Sequence, residues 1–313
     1  MAEKIPTLHG RPTHDAPRWL LLSVQPPPPG EEILLIEALR RLGAHAVERE
    51  GERYLALLPP PRALDALLRE AEAVIRASTS LRDPWLSWRW RSHEEWAEEW
   101  SHGLDPRRIG NHFVVSPRGR EPQLREGDRV IRLVPGLGFG TAEHATTRSC
   151  LRLLERYLSA GDQVADVGSG SGILAIAAVL IGARRVLALE LDPHACASAR
   201  ENVAENGAQE RVEIREVEVR PETLRGEGPF GGIVANLHAG ILLPLLPALA
   251  RELAPRGWMI VSGILPVEKP EVMRAAREAG LHLEAEEVEE GWWSACFVGS
   301  GSRAVRSGGP PGV

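Results

Sequence analysis

Lysine is almost missing from this 313-residue chain: Lys4 and Lys269 are the only two, and arginine carries the rest of the positive charge. The bias reads as one of base composition rather than of function. An excess of positive charge is also lacking, since the formal net charge is −6. That argues against general nucleic-acid binding, which rests on many Lys and Arg contacts to phosphates. Cysteine is scarce, and Cys150, Cys196 and Cys296 stand far apart in apolar surroundings. This excludes a disulfide framework and a cysteine metal site, so no metal is expected and a reducing compartment is. No apolar run has membrane-spanning length, and residues 1–16 are polar and broken by proline, which excludes a signal peptide. A soluble cytoplasmic protein is expected, long enough for two domains.

What the chain does have is a glycine pattern. Asp166-Val167-Gly168-Ser169-Gly170-Ser171-Gly172 follows the apolar Val164 and Ala165 and precedes Ile173 to Ala178. That is a strand, a tight turn and a helix N-terminus, an arrangement that brings backbone N–H groups close to a ligand. A dinucleotide fingerprint needs Gly-x-Gly-x-x-Gly, and its third position here holds Ile173. Gly-x-Gly-x-Gly after an acidic residue is the pattern of S-adenosylmethionine-dependent methyltransferases. Roughly 20 residues past the turn, Glu190 ends the apolar segment Val186–Leu189 and can accept bonds from ribose hydroxyls. Asp192-Pro193 competes for that role but reads as a helix N-cap followed by proline at the first helical position.

The N-terminal part reads as a β-α-β-β-α-β unit of ferredoxin-like order. Trp19–Val24 is a strand, and Ile33, Leu34, Ile36, Leu39 and Leu42 form a helical stripe ending at Gly43. Ala46–Arg49 and Tyr54–Leu58 flank a hairpin signal at Glu50-Gly51-Glu52. Leu64, Leu67, Leu68, Ala71 and Ile75 mark a second helix, and a last strand carries Trp88 and Trp90. Ser92 to Glu95 is a capping box that opens a short helix with Trp96 and Trp100 on one face, suited to packing or to anchoring a partner. From Ile109 strands and helices alternate, with helices read at Pro193–Glu205, Ile241–Leu253 and near Glu271–Ala279, and a strand at Met259–Val261. Strands around Leu281–Glu287 and Trp293–Val298 form an antiparallel edge. The fold class is therefore α/β: a Rossmann-like doubly wound sheet with a smaller α+β domain before it. The expected organisation is a domain at 17–91, a linker helix at 92–108, the cofactor domain at 109–298 and a disordered tail at 299–313.

Two more strings fall where the ligand edge should lie. Pro135 to Ala142 is a glycine-rich loop whose Phe139 can fold over a nucleoside, and Thr146-Thr147 follow at a helix start. Thr147 can turn its hydroxyl to the cofactor or simply cap the helix. Asn236, in Ala235-Asn236-Leu237-His238-Ala239, has an amide able to donate and accept at a strand end. His144 and His238 invite assignment as bases, but structural hydrogen bonds are the favoured role for both.

With these strings in their order, about residues 17–298 resemble the ribosomal protein L-eleven (L11) methyltransferase family, bacterial enzymes that methylate amino groups of that protein. The matching pieces are Glu95-Trp96 to Trp100, Ile109-Gly110, Phe113-Val114-Val115, Gly138-Phe139-Gly140-Thr141 to Thr146-Thr147, the turn at Gly168, Asn236-Leu237 with Ala239, and Ser262-Gly263-Ile264-Leu265. The resemblance implies a class I fold, S-adenosylmethionine as cofactor and the ribosomal protein as substrate, recognised by the N-terminal domain on a flexible linker. It implies cofactor contacts at Thr147, Gly168, Glu190 and Asn236; Phe139 and Gly170 join them from the loop and turn. Asn236 is also the candidate for orienting the acceptor amine. Expected acceptors are lysine side chains and the N-terminal amine, on an enzyme that is a monomer and contacts neither nucleic acid nor membrane. Ala142 departs from the family's glycine and Glu190 from its commoner Asp. Rival readings are methylation of another protein or a small molecule, and cofactor binding without chemistry.

Overall fold

The computed structural model describes residues 18–44, 46–92, 105–134, 142 and 144–299. The short helix read after Ser92 with Trp96 and Trp100, the loop with Phe139, and residues beyond Gly299 lie outside the described residues. Chain contacts divide the protein into two compact units, Met1–Trp100 and Ser101–Val313.

The first unit runs β1 (Arg18–Val24), α1 (Glu32–Arg41), β2 (Ala46–Glu50), β3 (Arg53–Leu58), α2 (Leu64–Ser78) and β4 (Leu86–Ser92). Its strands pair antiparallel in the order β2-β3-β1-β4, so each helix crosses over one intervening strand. This is the ferredoxin-like split βαβ arrangement. The alternating Leu20, Leu22 and Val24 of β1 meet Ala56 and Leu58 of β3, and Leu35, Leu39, Ala71 and Ile75 cover them from the helices. Period-2 and period-3.6 apolar stripes thus share one closed core.

The second unit opens with a small sheet, β5 (Arg107–Ile109), β6 (Phe113–Pro117) and β7 (Arg129–Leu133). Arg107 and Arg108, inside the stretch read as linker, begin it. Then follow α3 (Ala145–Tyr157), β8 (Gln163–Val167), α4 (Ile173–Leu180), β9 (Arg185–Glu190), α5 (Pro193–Glu205), β10 (Val212–Glu216) and β11 (Phe230–Asn236). The unit ends with α6 (Ala239–Arg251), β12 (Leu253–Ile264), α7 (Lys269–Glu278), β13 (Leu281–Glu289) and β14 (Trp292–Gly299). The large sheet has the order β10-β9-β8-β11-β12-β14-β13, and only β14 runs antiparallel to its neighbours. The interior strands are apolar on both sides because helices cover both faces. On one face α6 and α7 bury Leu242, Leu246, Leu249, Val272 and Ala276 against Ala165, Val167, Leu189, Ile233 and Ala235.

Several boundaries differ from the sequence reading. The helix expected at Ile241–Leu253 spans Ala239–Arg251, ending where Leu253 enters β12. That strand runs from Leu253 to Ile264, far beyond Met259–Val261, because its ends pair with β11 and β14 and need no apolar pattern. Gly299, expected to start the tail, instead pairs with Leu281 and closes β14.

Candidate active site at the carboxyl edge of the large sheet

Successive strands move outward from β8 to β10, and β11 then returns to the other side of β8. The chains leaving β8 and β11 therefore part and open a crevice at their carboxyl ends, the topological switch point of such sheets. Every described residue of the predicted site lies at the carboxyl end of β9 or β11, in the turn after β8, or in the helix α3.

The floor is the glycine turn. Gly168 and Ser169 donate to the Leu189 carbonyl at 2.8 and 3.1 Å, which ties the turn to β9. Gly168 has φ +74°, and a Cβ there would come within 2.5 Å of Leu237 Cδ2. Only glycine allows β8 to turn this close to the segment leaving β11. Asn202 of α5 holds the far side, donating to Ser171 O at 2.9 Å and accepting from Val134 N at 2.7 Å.

Glu190 stands at the end of β9. Its Oε2 accepts from Gly170 N at 2.9 Å, and Oε1 accepts from Leu191 N at 2.8 Å and Asp192 N at 3.0 Å. An ionised carboxylate has about four acceptor positions, so three backbone amides aim it while leaving capacity for a hydroxyl. Asp192 is engaged otherwise: it caps α5 through His194 N at 2.9 Å, with Pro193 in the first turn.

The other wall joins β11 to α3. Asn236 Nδ2 donates to Thr146 Oγ1 at 3.1 Å, and that hydroxyl lies 2.7 Å from His144 Nδ1. His144 is the N-cap of α3 and accepts from Thr146 N. His238 is the N-cap residue of α6. Trp292 of β14 places its ring 5.3 Å from His144 and 6.3 Å from His238, centroid to centroid. Arg148 secures the hairpin that carries Trp292, bonding Glu289 at 2.6 Å and Glu290 at 2.7 Å.

Among the described residues, three buried side chains at this edge have no hydrogen-bond partner of normal geometry: Thr147 Oγ1, Ser169 Oγ and both oxygens of Asp166. Buried polar groups are nearly always satisfied, so such a cluster has hydrogen-bonding capacity to offer a ligand or ordered water. Burial pushes the Asp166 carboxyl up to about 7; the amide of Ala175 at the start of α4 partly offsets this, and the charge of Glu190 adds to it. Two hydroxyls, one buried acid and a carboxylate at the next strand end fit the polar groups of S-adenosylmethionine: carboxylate, ammonium and ribose diol.

Of the residues expected from the sequence, Thr147, Gly168, Gly170, Glu190 and Asn236 come together here, whereas Phe139 falls outside the described residues. Thr147 does not cap α3; His144 does. Sequence reasoning missed Ser169, Thr146 and Asn202 as parts of the site. Asp166 had a signal, an acid directly before the glycines, but nothing in one dimension showed that its oxygens would be orphaned.

The stretch of chain that carries this edge is similar to known proteins. The family model described as ribosomal protein L11 methyltransferase (PrmA) matches residues 41–299. A protein of Heliobacterium modesticaldum with that name is 40% identical over 243 residues, covering 74% of this chain and 75% of its own length. One of Pelotomaculum thermopropionicum is 34% identical over 304 residues, covering 88% and 97%. The crystal structure of a ribosomal protein L11 methylase from Lactobacillus delbrueckii subsp. bulgaricus aligns with a TM-score of 0.57 at 33% identity, over 62% of this chain and 98% of that one.

Proposed function

The chain belongs to the ribosomal protein L11 methyltransferase family, and on that premise we propose that it transfers methyl groups from S-adenosylmethionine to amino nitrogens of ribosomal protein L11, on lysine side chains and the N-terminal amine. As a member of that family it is a methyltransferase acting on L11. The amine specificity, the cofactor and a cytoplasmic setting are what this reading adds.

The observation that carries the cofactor assignment is the orphaned set Asp166, Thr147 and Ser169 beside Glu190. Glu190 would hold the ribose hydroxyls, the Thr147 and Ser169 hydroxyls would donate to the carboxylate, and Asp166 would pair with the ammonium. Gly168 and Gly170 let the backbone approach closely, and Phe139 is assigned to the nucleoside by resemblance alone. Bound there, the cofactor supplies an electrophilic sulfonium methyl.

The acceptor has to present a neutral nitrogen lone pair. Free lysine titrates near ~10.4, so the site must favour the uncharged amine. Desolvation and a nearby cation both do so. The proton leaves to water, and the transfer itself needs no protein base. His144 and His238 accordingly keep their places at helix N-termini. What the chain supplies is orientation, which contributes more to such a reaction than any single contact. Asn236, at the end of β11 beside the turn at Gly168, is the orienting group.

Incubating the purified protein with L11 and methyl-labelled cofactor, then mapping the labelled peptides, tests this reading. Label on lysine and on the N-terminal amine is expected; an unlabelled L11 would end it. Glu190→Ala should weaken cofactor binding by a factor of about ten to over a hundred, since hydrogen bonds to a charged group contribute ~1.5–3 kcal/mol. Glu190→Asp should stay close to wild type in the same calorimetric titration, and unchanged affinity in the alanine variant would remove Glu190 from the ribose. Asn236→Ala should slow transfer even at saturating cofactor, by about tenfold or more if one oriented hydrogen bond is lost at the transition state. Full rescue of the rate by excess cofactor would reassign Asn236 to cofactor binding alone.

A further inference from the structure

We propose that Thr146 is a positioning residue that sets which end of the Asn236 amide faces the acceptor amine. The inference rests on the assignment of Asn236 to that amine, and it says how the orientation is enforced.

An asparagine amide is nearly symmetric in shape, and its two ends have opposite hydrogen-bonding character. Only the oxygen end can accept an N–H from the incoming amine; the NH2 end would oppose it donor to donor. Thr146 is buried and its hydroxyl touches both neighbours, Asn236 Nδ2 at 3.1 Å and His144 Nδ1 at 2.7 Å. The backbone N–H of Thr146 points at the same Nδ1 from 3.4 Å. A ring nitrogen that receives a backbone N–H is the acceptor, so the single hydroxyl proton of Thr146 goes to Nδ1. Only lone pairs of Oγ1 then remain for Asn236, and a lone pair can be met only by the NH2 end. A histidine Nδ1 that accepts thus dictates the hydroxyl, and the hydroxyl dictates the amide.

The oxygen end is left open. No described residue donates to Asn236 Oδ1. On its other side stands Gly263, with φ +81°, where a Cβ would lie 3.2 Å from Oδ1 and 2.9 Å from the Leu237 carbonyl. Any larger residue would strain that approach and crowd the oxygen. Ser262 holds the arrangement from behind, donating to the Thr146 carbonyl at 3.4 Å and lying 2.6 Å from Ser294 Oγ. Leu237 N also bonds Ser262 O at 3.0 Å. Strands β11, β12 and β14 and the first turn of α3 therefore clamp one amide.

Thr146→Val keeps the shape and removes the hydroxyl. Transfer to L11 at saturating cofactor should fall by about two- to tenfold, as expected when one neutral hydrogen bond of ~0.5–1.5 kcal/mol is lost. Cofactor affinity should be unchanged, and Thr146→Ser should recover the rate. Because Thr146 acts through Asn236, adding Thr146→Val to Asn236→Ala should cause no further loss. A wild-type rate in Thr146→Val, or losses that multiply in the double variant, would overturn the proposal. A readout without catalysis is the side-chain amide resonance of Asn236 in asparagine-labelled protein, identified by its absence in Asn236→Ala. It should move in Thr146→Val and stay in place in Thr146→Ser; an unmoved signal in the valine variant would overturn the proposal. Should Thr146→Val not fold, His144→Phe removes the Nδ1 acceptor and should move the same resonance. If the wild-type protein leaves L11 unmethylated, the preceding reading falls, and the resonance alone decides the Thr146 bond.

Discussion

Removing residues 1–100 is expected to leave cofactor binding nearly intact while L11 methylation at low substrate concentration falls by about a hundredfold or more, because a docking module on a linker raises local substrate to roughly millimolar levels. The two units have separate apolar clusters, one built on β1, β3, α1 and α2 and the other on the large sheet with α6 and α7. Each has the means to fold alone. Every residue assigned to the cofactor lies in the second unit, after its boundary at Ser101. The truncated protein should therefore titrate S-adenosylmethionine like the full chain, with the deficit appearing in kcat/KM for L11. Raising L11 far above the docking affinity should narrow the gap. Equal kcat/KM in both proteins would dismiss the recognition role of the first unit and favour a small-molecule acceptor, which needs no docking surface.

The second large effect concerns Asp166, and its two consequences have opposite signs. Its carboxyl is pushed from 3.8 up to about 7 by burial. Between those values the folded state holds a proton that the unfolded state has lost, so stability falls as pH rises. The stabilisation is whole below about 4 and gone above about 7, a total of about 4 kcal/mol at 1.36 kcal/mol per unit. Asp166→Asn has no charge to bury. Free of cofactor, it should be more stable than wild type at pH 8, by up to about 4 kcal/mol, and should show a flat profile where wild type declines. Cofactor binding should change the other way, since the proposed pairing with the ammonium requires an ionised Asp166. Wild-type affinity should rise from pH 6 to pH 8, as Asp166 ionises, and that of Asp166→Asn should be weaker and lack the rise. Parallel pH profiles of affinity for the two proteins would contradict the pairing. The expected exchange of stability for binding is common at sites that hold charge in a dry interior.

How far each feature was legible depends on whether its cause is local. The glycine turn, the acid at the end of β9 and the cap at Asp192 were all readable, because turn conformation, strand end and N-cap are decided within a few residues. The helical stripes of α1 and α2 were readable from periodicity for the same reason. Strand β12 was underestimated because Leu253 to Gly257 has no apolar pattern and is strand only through its neighbours. The small sheet β5-β6-β7 left no clear signal, since three short strands depend on long-range pairing. Thr146 and Thr147, adjacent and alike in the sequence, diverge completely: one hydroxyl holds Asn236, 90 positions further along the chain, and the other has no partner among the described residues.

By itself, then, the sequence determined the α/β class and the family, because glycine spacing, apolar period and helix caps act over single turns of chain. Only the tertiary structure decided which polar groups are spent on the protein and which remain for a ligand. Asp166 is an ordinary acid until helices close over β8, and Asn236 has no preferred orientation until α3 brings Thr146 against it. Both depend on groups distant in the chain that the sheet brings within hydrogen-bonding range, where burial makes each unpaired atom costly.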